Sequence, residues 1–385
     1  METDTLSGIA LVGRILRQLL PVWIALAALF AVSFTFRRRL GLYGQLFDSG
    51  AGLVGVFLIG FWIFAALFAE QIALFDPIGQ IVTLKNASPG AIDAVSGEPY
   101  LLGGDNLARD VFGRMIHGSR IVLVIAPAAT AFALMVGISL GLPAGYFGGS
   151  VDAVLTFLAN LVLAFPVILL FYLLVTPGIT DTPVPYTMAG VFFAFPIAFF
   201  LTLFVTRFRK RPTLLAVQVA ITVLLGAWIY AGLVFDADPL GIISIDPNEL
   251  NIFVAVVFAS SPAVFRIVRG LVMDVKTRDY TAAAQTRGES PWYIMLWEIL
   301  PNARGPLIVD ACLRIGYTTI LLGTLGYFGL GLAPESPDWG TAIKDGSRLL
   351  RLYVHPAIAP ALALMSFVLG LNLLADALRE ESLKD

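Results

Sequence analysis

The chain has 385 residues, 58% hydrophobic and 14% charged, with a mean hydropathy of +0.85 and a formal net charge of −2. Soluble domains run about 45–50% apolar and about 25% charged, so the composition excludes a soluble domain and implies a polytopic membrane protein. The near-neutral charge offers no bulk attraction for nucleic acid, and a single cysteine, Cys312, excludes an intrachain disulfide or a Cys-cluster metal site.

A membrane-spanning helix needs about 20 apolar residues. Nine runs of that kind are predicted, roughly at 19–36, 50–72, 119–143, 151–176, 186–206, 213–235, 251–269, 306–330 and 356–377. Backbone groups in lipid must pair internally, and runs of this length do so as helices rather than barrel strands. The first run has Arg14 and Arg17 before it and Arg37, Arg38 and Arg39 after it. It crosses the membrane, lies along the interface, or dips in and returns. Three arginines directly after its apolar core oppose a cleaved signal peptide.

Between the second and third runs, residues 73–118 form the longest polar loop. Its end, 106–120, mixes Leu107, Val111, Phe112, Met115 and Ile116 with charges at helical spacing. That pattern predicts a short amphipathic helix lying on the outer surface. In the third run Gly137, Gly141 and Gly145 recur every four residues and form one smooth helix face. The face permits close helix approach, either beside a translocation path or as ordinary intramembrane packing. Pro143 is expected to kink that run. Gly148 and Gly149 then make a tight turn, and Asp152 reads as a helix-start residue.

Basic residues set orientation. Arg37–Arg39, then Arg207, Arg209, Lys210 and Arg211, then Arg266, Arg269, Lys276, Arg278, Arg287 and Arg304 all fall on one side if every intervening run crosses once. Asp236, Asp238, Asp246 and Glu249 fall on the other. This puts the C-terminus inside and the N-terminus outside. A second glycine set, Gly316, Gly323, Gly326, Gly329 and Gly331, crowds the eighth run, where Arg314 is the main charged candidate. Proton-coupled carriers place carboxylates or histidines at mid-depth; none is evident, and His117 and His355 have no metal-ligand spacing. The chain also lacks a G-x-x-x-x-G-K-[ST] phosphate loop and the G-x-S-x-G and S-x-x-K serine motifs.

Residues 271–305 carry the strongest signal. They form a polar stretch between two apolar runs, with the punctuation of two short helices. Asp279 is placed to cap the first, which runs through Thr281, Ala282, Ala283, Ala284 and Gln285. Gly288 is placed to end it in a left-handed conformation. Ser290 caps the second, Pro291 occupies its first position, and Pro301 stops it. Taken alone, this loop could be a solvated connector.

YTAAAQTRG followed by EILPN resembles the EAA loop of permease subunits in binding-protein-dependent ABC importers. Ala283, Ala284, Gly288, Leu300 and Pro301 fit at the family intervals, while Ala282 replaces the family Glu. FDPIGQ (75–80), LLGGDNLARDVFGRMIHGSR (101–120), GLPAGYFGGSVDAVL (141–155), VFRIVRG (264–270) and YFGLGLAPESPDWGTAI (327–343) narrow the resemblance to the C-type permease of the dipeptide/oligopeptide branch.

The resemblance implies an all-α, type I importer (MetI-like) fold with a six-span core. An extra N-terminal span with a basic linker (1–44) and an inserted two-span hairpin (177–250) make about nine spans. Core segments then cover 45–176 and 251–385. It further implies a homologous partner permease, two ATP-binding subunits and an extracytoplasmic substrate-binding protein at the cell membrane. No cofactor belongs to this chain, and ATP and Mg sit on the partner subunits. The coupling residues are Asp279, Tyr280, Thr281, Ala282, Ala283, Ala284, Arg287, Gly288, Leu300 and Pro301. With Asp279 as cap, Ala282 takes the third helical position and forgoes a capping-box bond worth about 1 kcal/mol, so docking should persist.

The implied substrate is a di- or oligopeptide. Nickel, opines or oligosaccharides are alternatives within the branch. An ion-coupled secondary carrier, an intramembrane enzyme and a structural scaffold are the rivals from other classes.

Overall fold

The computed structural model describes residues 4–175, 182–235, 237–238, 241, 247–330 and 335–382. Asp236, Asp246 and Gly331 lie outside the described residues. In chain order the helices are α1 (Gly8–Gln18), α2 (Leu20–Phe36), α3 (Leu42–Gln45), α4 (Gly50–Leu67), α5 (Ala69–Ile72), α6 (Val111–Phe147), α7 (Gly149–Ala164), α8 (Val167–Val175), α9 (Val184–Phe208), α10 (Pro212–Phe235), α11 (Pro247–Val275), α12 (Asp279–Thr286), α13 (Pro291–Tyr293), α14 (Leu300–Asn302), α15 (Arg304–Phe328), α16 (Trp339–Ser347) and α17 (His355–Ser382). Short 3-10 turns at Arg37–Arg39, Leu46–Asp48 and Val82–Leu84, a π-helical turn at Ile294–Ile299 and a single antiparallel pair, β1 (Ala91–Ile92) with β2 (Pro99–Tyr100), complete the regular structure among the described residues.

Eight of these helices are long and apolar enough to cross a membrane, and α7 with α8 makes a ninth if the bent pair counts as one. The chain is therefore an all-α membrane protein with about nine spans. The run at 151–176 is not one straight rod. It breaks by 77° between Ala164 and Val167, where Pro166 cannot donate to the ladder. The run at 119–143 is longer than its apolar length suggests, because α6 begins at Val111 and continues unbroken through Pro143 to Phe147.

That extension corrects the expectation of a surface helix at 106–120. Residues 111–120 are the first turns of α6, and the charges at the start of this stretch are buried rather than solvated, whereas Arg120 stays partly exposed and pairs with Glu70. Arg109, Asp110 and Arg114 are each about 2% exposed or less. Such burial requires pairing. The Arg109 guanidinium donates from Nε to Asp105 Oδ2 at 2.7 Å and from Nη2 to Asp345 Oδ2 at 2.9 Å. Arg114 donates to the backbone oxygens of Ser336 and Pro77.

Two compact units divide the chain. The first comprises residues 1–127 and 312–385. Here α4 packs on α17 through glycines: a Cβ on Gly55 would sit 3.0 Å from the Leu374 side chain, and one on Gly370 2.9 Å from Leu58. Trp62 donates to Ser366 Oγ and meets Trp339 edge-on, while Trp339 donates to the Met115 carbonyl. The N-terminal stretch joins the small β pair, with Leu6 N–H donating to Gly90 and Ile92 N–H donating to the Asp4 carbonyl. Arg14 adds an ion pair to Glu98.

Asp110 caps α6 in this unit by accepting from the N–H groups of Phe112 and Gly113. Burial pushes its carboxyl up to about 7, against the pull of those two bonds, and the Asp105 charge adds to the rise. The folded state thus holds a proton that the unfolded chain releases near the usual carboxylate value. Stability is expected to fall as pH rises from about 4 to about 7 and to level off above that. Asp110→Asn should flatten this part of a melting-temperature profile recorded in detergent.

The second unit comprises residues 128–311. Gly137, Gly141 and Gly145 of α6 lie against Val264, Val268 and Val272 of α11, which also recur every four residues. A Cβ on Gly141 or Gly145 would fall 2.8 or 2.7 Å from its valine, and one on Gly137 would clash harder still. The two backbones can approach this closely only because the side chains are absent from one of them. The α9–α10 hairpin packs along its own length, and α9 reaches α11 and α13.

Candidate coupling element at residues 271–305

α12 starts one residue earlier than its sequence punctuation indicates. Arg278 holds the cap position with an extended backbone and gives no side-chain cap bond, and Asp279 is the first helical residue. Asp279 therefore does not cap. It stands in the first turn, where a carboxylate meets the positive end of the helix dipole. Ala282 becomes the fourth helical residue, so the capping-box account of the missing Glu does not hold. Thr281, the third, is fully buried and donates from Oγ1 to the Val275 carbonyl, tying α12 back to α11.

The end of α12 follows from one glycine. Gly288 has φ +73°. Its N–H donates to the Gln285 carbonyl while Glu289 N–H donates to Ala284, the bond pair of a Schellman motif. Ser290 then caps α13, its Oγ accepting from Tyr293 N–H, with Pro291 at the first position.

Pro301 does not stop the second helix. A π-helical turn, Ile294–Ile299, leads into α14, and the chain breaks only at Ala303. The wide turn breaks the regular i→i−4 ladder just before the proline, so Pro301 sits in the last turn and is exposed. Leu300 beside it is half-buried.

The element has two distinct faces. Thr281, Ala284, Ile294, Met295, Leu296 and Ile299 are buried, and most of them join one apolar cluster with Leu142, Val264, Val268 and Val272. Each large side chain so buried contributes about 1.5–3 kcal/mol, which fixes the element to the glycine seam of α6 and α11. On the other face Asp279, Ala282, Ala283, Thr286, Arg287 and Gly288 are exposed, and Tyr280 is half-buried. Burial raises the Tyr280 phenol above its usual value. No atom lies within 4 Å of a Cβ built on Gly288. A flat, small-residue strip of backbone is thus open on one side and anchored on the other.

Polar ties surround it. Arg287 Nη2 meets Glu298 Oε1 at 2.6 Å. Lys276 Nζ donates to the Gly145 carbonyl at 2.9 Å, and Gln285 reaches Tyr146 OH at 3.4 Å. Asp152, in the first turn of α7, takes both Nε and Nη2 of Arg269 on α11. Residue spacing gave no sign of this pair, which closes over 117 residues of sequence. Trp297 was likewise unmarked, yet it donates to Thr206 Oγ1 at 3.1 Å and lies 4.7 Å beneath the Arg207 guanidinium carbon.

About nine apolar helices thus carry one helical element that is exposed on one side and anchored in an apolar cluster on the other. The chain belongs to the family of binding-protein-dependent transport system inner membrane components, whose family model matches residues 137–380. It is 27% identical over 349 residues to the di/tripeptide transport system permease protein DppC of Pseudomonas aeruginosa (strain UCBPP-PA14), covering 90% of this chain and 93% of that one. It is 26% identical over 334 residues to the dipeptide transport system permease protein DppC of Haemophilus influenzae, covering 86% and 90%. A glutathione transport system permease protein, GsiD of Pectobacterium atrosepticum, is 28% identical over 281 residues, covering 73% and 71%. The chain is an ABC importer permease, and ATP hydrolysis falls to a separate subunit. Such membership does not favour an ion-coupled carrier. Among the described residues no group of three or more His, Cys, Asp or Glu could hold a metal ion.

Proposed function

We propose that this chain forms half of the pathway of an ATP-driven importer for di- or oligopeptides, and that α12 with Gly288 docks on an ATP-binding partner. The other half would be a homologous permease, with a soluble binding protein delivering substrate from outside. The transport roles for which those relatives are named support the peptide class. The observation that carries the docking role is the exposure of Ala282, Ala283 and Gly288 on a helix whose opposite side is sealed into the α6–α11 cluster. A motor gripping that strip would move α6 and α11 together, biasing the permease between two states.

The orientation has support of its own. Arg207 meets Trp297, so the basic α9–α10 turn and the coupling element share a side. The N-terminal stretch pairs with the 73–118 loop, so those two share a side with each other. Residues 1–44 and 177–250 are additions to the six-span core in this reading, and the C-terminus is cytoplasmic.

Cross-linking tests the docking role. In a Cys312→Ser background, Ala283→Cys should form a thiol cross-link to an ATPase subunit of the assembled importer and lose reactivity to a water-soluble maleimide when that subunit is present. Equal maleimide labelling with and without the ATPase subunits would exclude it.

A further inference from the structure

The turn between α9 and α10 reads Arg207, Phe208, Arg209, Lys210, Arg211, four cations in five residues. Arg209, Lys210 and Arg211 are exposed, and none pairs with a carboxylate among the described residues. The apolar, membrane-length stretch of α10 has no buried residue in this chain. Val217, Ile221, Leu224 and Leu225 are at least 45% exposed along it. A helix so apolar on its outer sides faces hydrocarbon, which holds its basic end at the level of the phospholipid headgroups. Clusters of Lys and Arg at that level attract anionic lipid.

The same turn is joined to the coupling element. Arg207 covers the Trp297 ring and donates to Tyr293 OH at 3.4 Å, while its neighbour Thr206 accepts from Trp297 Nε1 at 3.1 Å. Two consecutive residues of α9 thus hold one indole. Trp297 belongs to the π-helical turn, and the next residue, Glu298, pairs with Arg287 beside Gly288. Orienting a span requires only that positive charge lie near its end. It does not require a charged side chain stacked on the coupling helix.

We propose that the basic α9–α10 turn binds anionic phospholipid headgroups, and that Arg207 and Thr206 carry the bound state to the coupling element through Trp297. The headgroup arm stands on this chain alone; the coupling arm rests on the ATPase-docking role proposed above. Headgroups bound to Arg209, Lys210 and Arg211 steady the end of α9, and a steadied α9 holds Trp297 and the π-turn in the geometry that presents Gly288. Trp297 is a positioning residue in this scheme.

The first arm of the test uses the purified full chain in native mass spectrometry, comparing phosphatidylglycerol with phosphatidylcholine. The wild type should retain phosphatidylglycerol preferentially. The triple variant R209Q/K210Q/R211Q should lose about fivefold in retention for each charge removed. The charge-preserving variant R209K/K210R/R211K should behave as wild type, which separates headgroup binding from misfolding.

The second arm places the assembled importer in vesicles of phosphatidylcholine with or without phosphatidylglycerol. Phosphatidylglycerol should stimulate ATPase activity in the wild type. Trp297→Leu should keep lipid retention and lose the stimulation. Undiminished phosphatidylglycerol retention by the Gln triple variant overturns headgroup binding. Loss of partner-permease assembly with retention intact would instead assign the turn to an acidic protein surface, and also overturns it. Full stimulation in Trp297→Leu overturns the relay. A wild-type assembly whose ATPase is uncoupled from uptake in both lipids counts against the docking role itself, while the first arm still decides the headgroup site.

Discussion

Gly288→Trp is expected to leave the fold in place and to cut uptake and transport-stimulated ATPase activity by more than about 30-fold, the loss that accompanies a disrupted interface hot spot of about 2 kcal/mol. Two effects of the change are separable. The first is backbone strain: at φ +73° a residue with a Cβ costs about 1–2 kcal/mol. The second is bulk. Nothing lies within 4 Å of the built Cβ, so the side chain leaves the backbone into open space and the indole takes up room that a partner would fill. Gly288→Ala carries the strain with almost none of the bulk. It should lower thermal stability about as much as the Trp variant and retain most of the ATPase stimulation. Equal loss of activity in both variants would mean that strain in the Schellman turn, not steric exclusion of a partner, sets the phenotype. Unchanged transport in Gly288→Trp would end the docking role.

Arg109→Met is expected to destabilise the chain by about 3–5 kcal/mol, the cost of breaking a buried ionic network by removing one partner. Arg109 bridges Asp105 and Asp345 with two hydrogen bonds of 2.7 and 2.9 Å and is 1% exposed. Without it both carboxylates lose the cation bonded to them and keep only the longer-range attraction of Arg114. Asp105 keeps its bonds from the N–H groups of Leu107 and Arg109, whereas Asp345 retains no comparable support. Arg109→Lys should recover only part of the loss, since one ammonium replaces a planar fork that reaches two carboxylates at once. Unfolding in detergent, followed by denaturant midpoint, checks both variants. A second substitution, Asp345→Asn in the Met background, should restore part of the stability by neutralising the orphaned charge, and its absence would mean that the network contributes little.

The spans were legible because apolar runs of 20 residues have few alternatives in lipid. Local punctuation was legible where one residue decides it: Ser290 and Pro291 open α13, and Gly288 takes the left-handed turn. What stayed hidden depends on partners far away in the sequence. The 106–120 segment has the alternation of a surface helix, yet Arg109 and Arg114 are buried because Asp345 and the Ser336 carbonyl arrive from more than 200 residues downstream. Asp152 showed its helix-start position but not Arg269. Trp297 looked like any aromatic of a cytoplasmic loop until Thr206 and Arg207 reached it from another hairpin. The single-residue shift from Asp279 to Arg278 at the α12 cap lies within the ordinary fraying of helix boundaries, but it was enough to undo the capping-box account of Ala282.

The π-helical turn at Ile294–Ile299 has a consequence for how this loop tolerates change in length. Such a turn is an ordinary helix with one surplus residue, so excising a residue there would restore regular backbone pairing. It would also swing everything before it by about 100° in azimuth relative to everything after it. The surplus residue thus acts as a phase setting, aligning the indole with the hairpin on one side and the exposed alanine strip on the other, and homologues with one residue fewer in this stretch would have to present that strip along a different compass bearing.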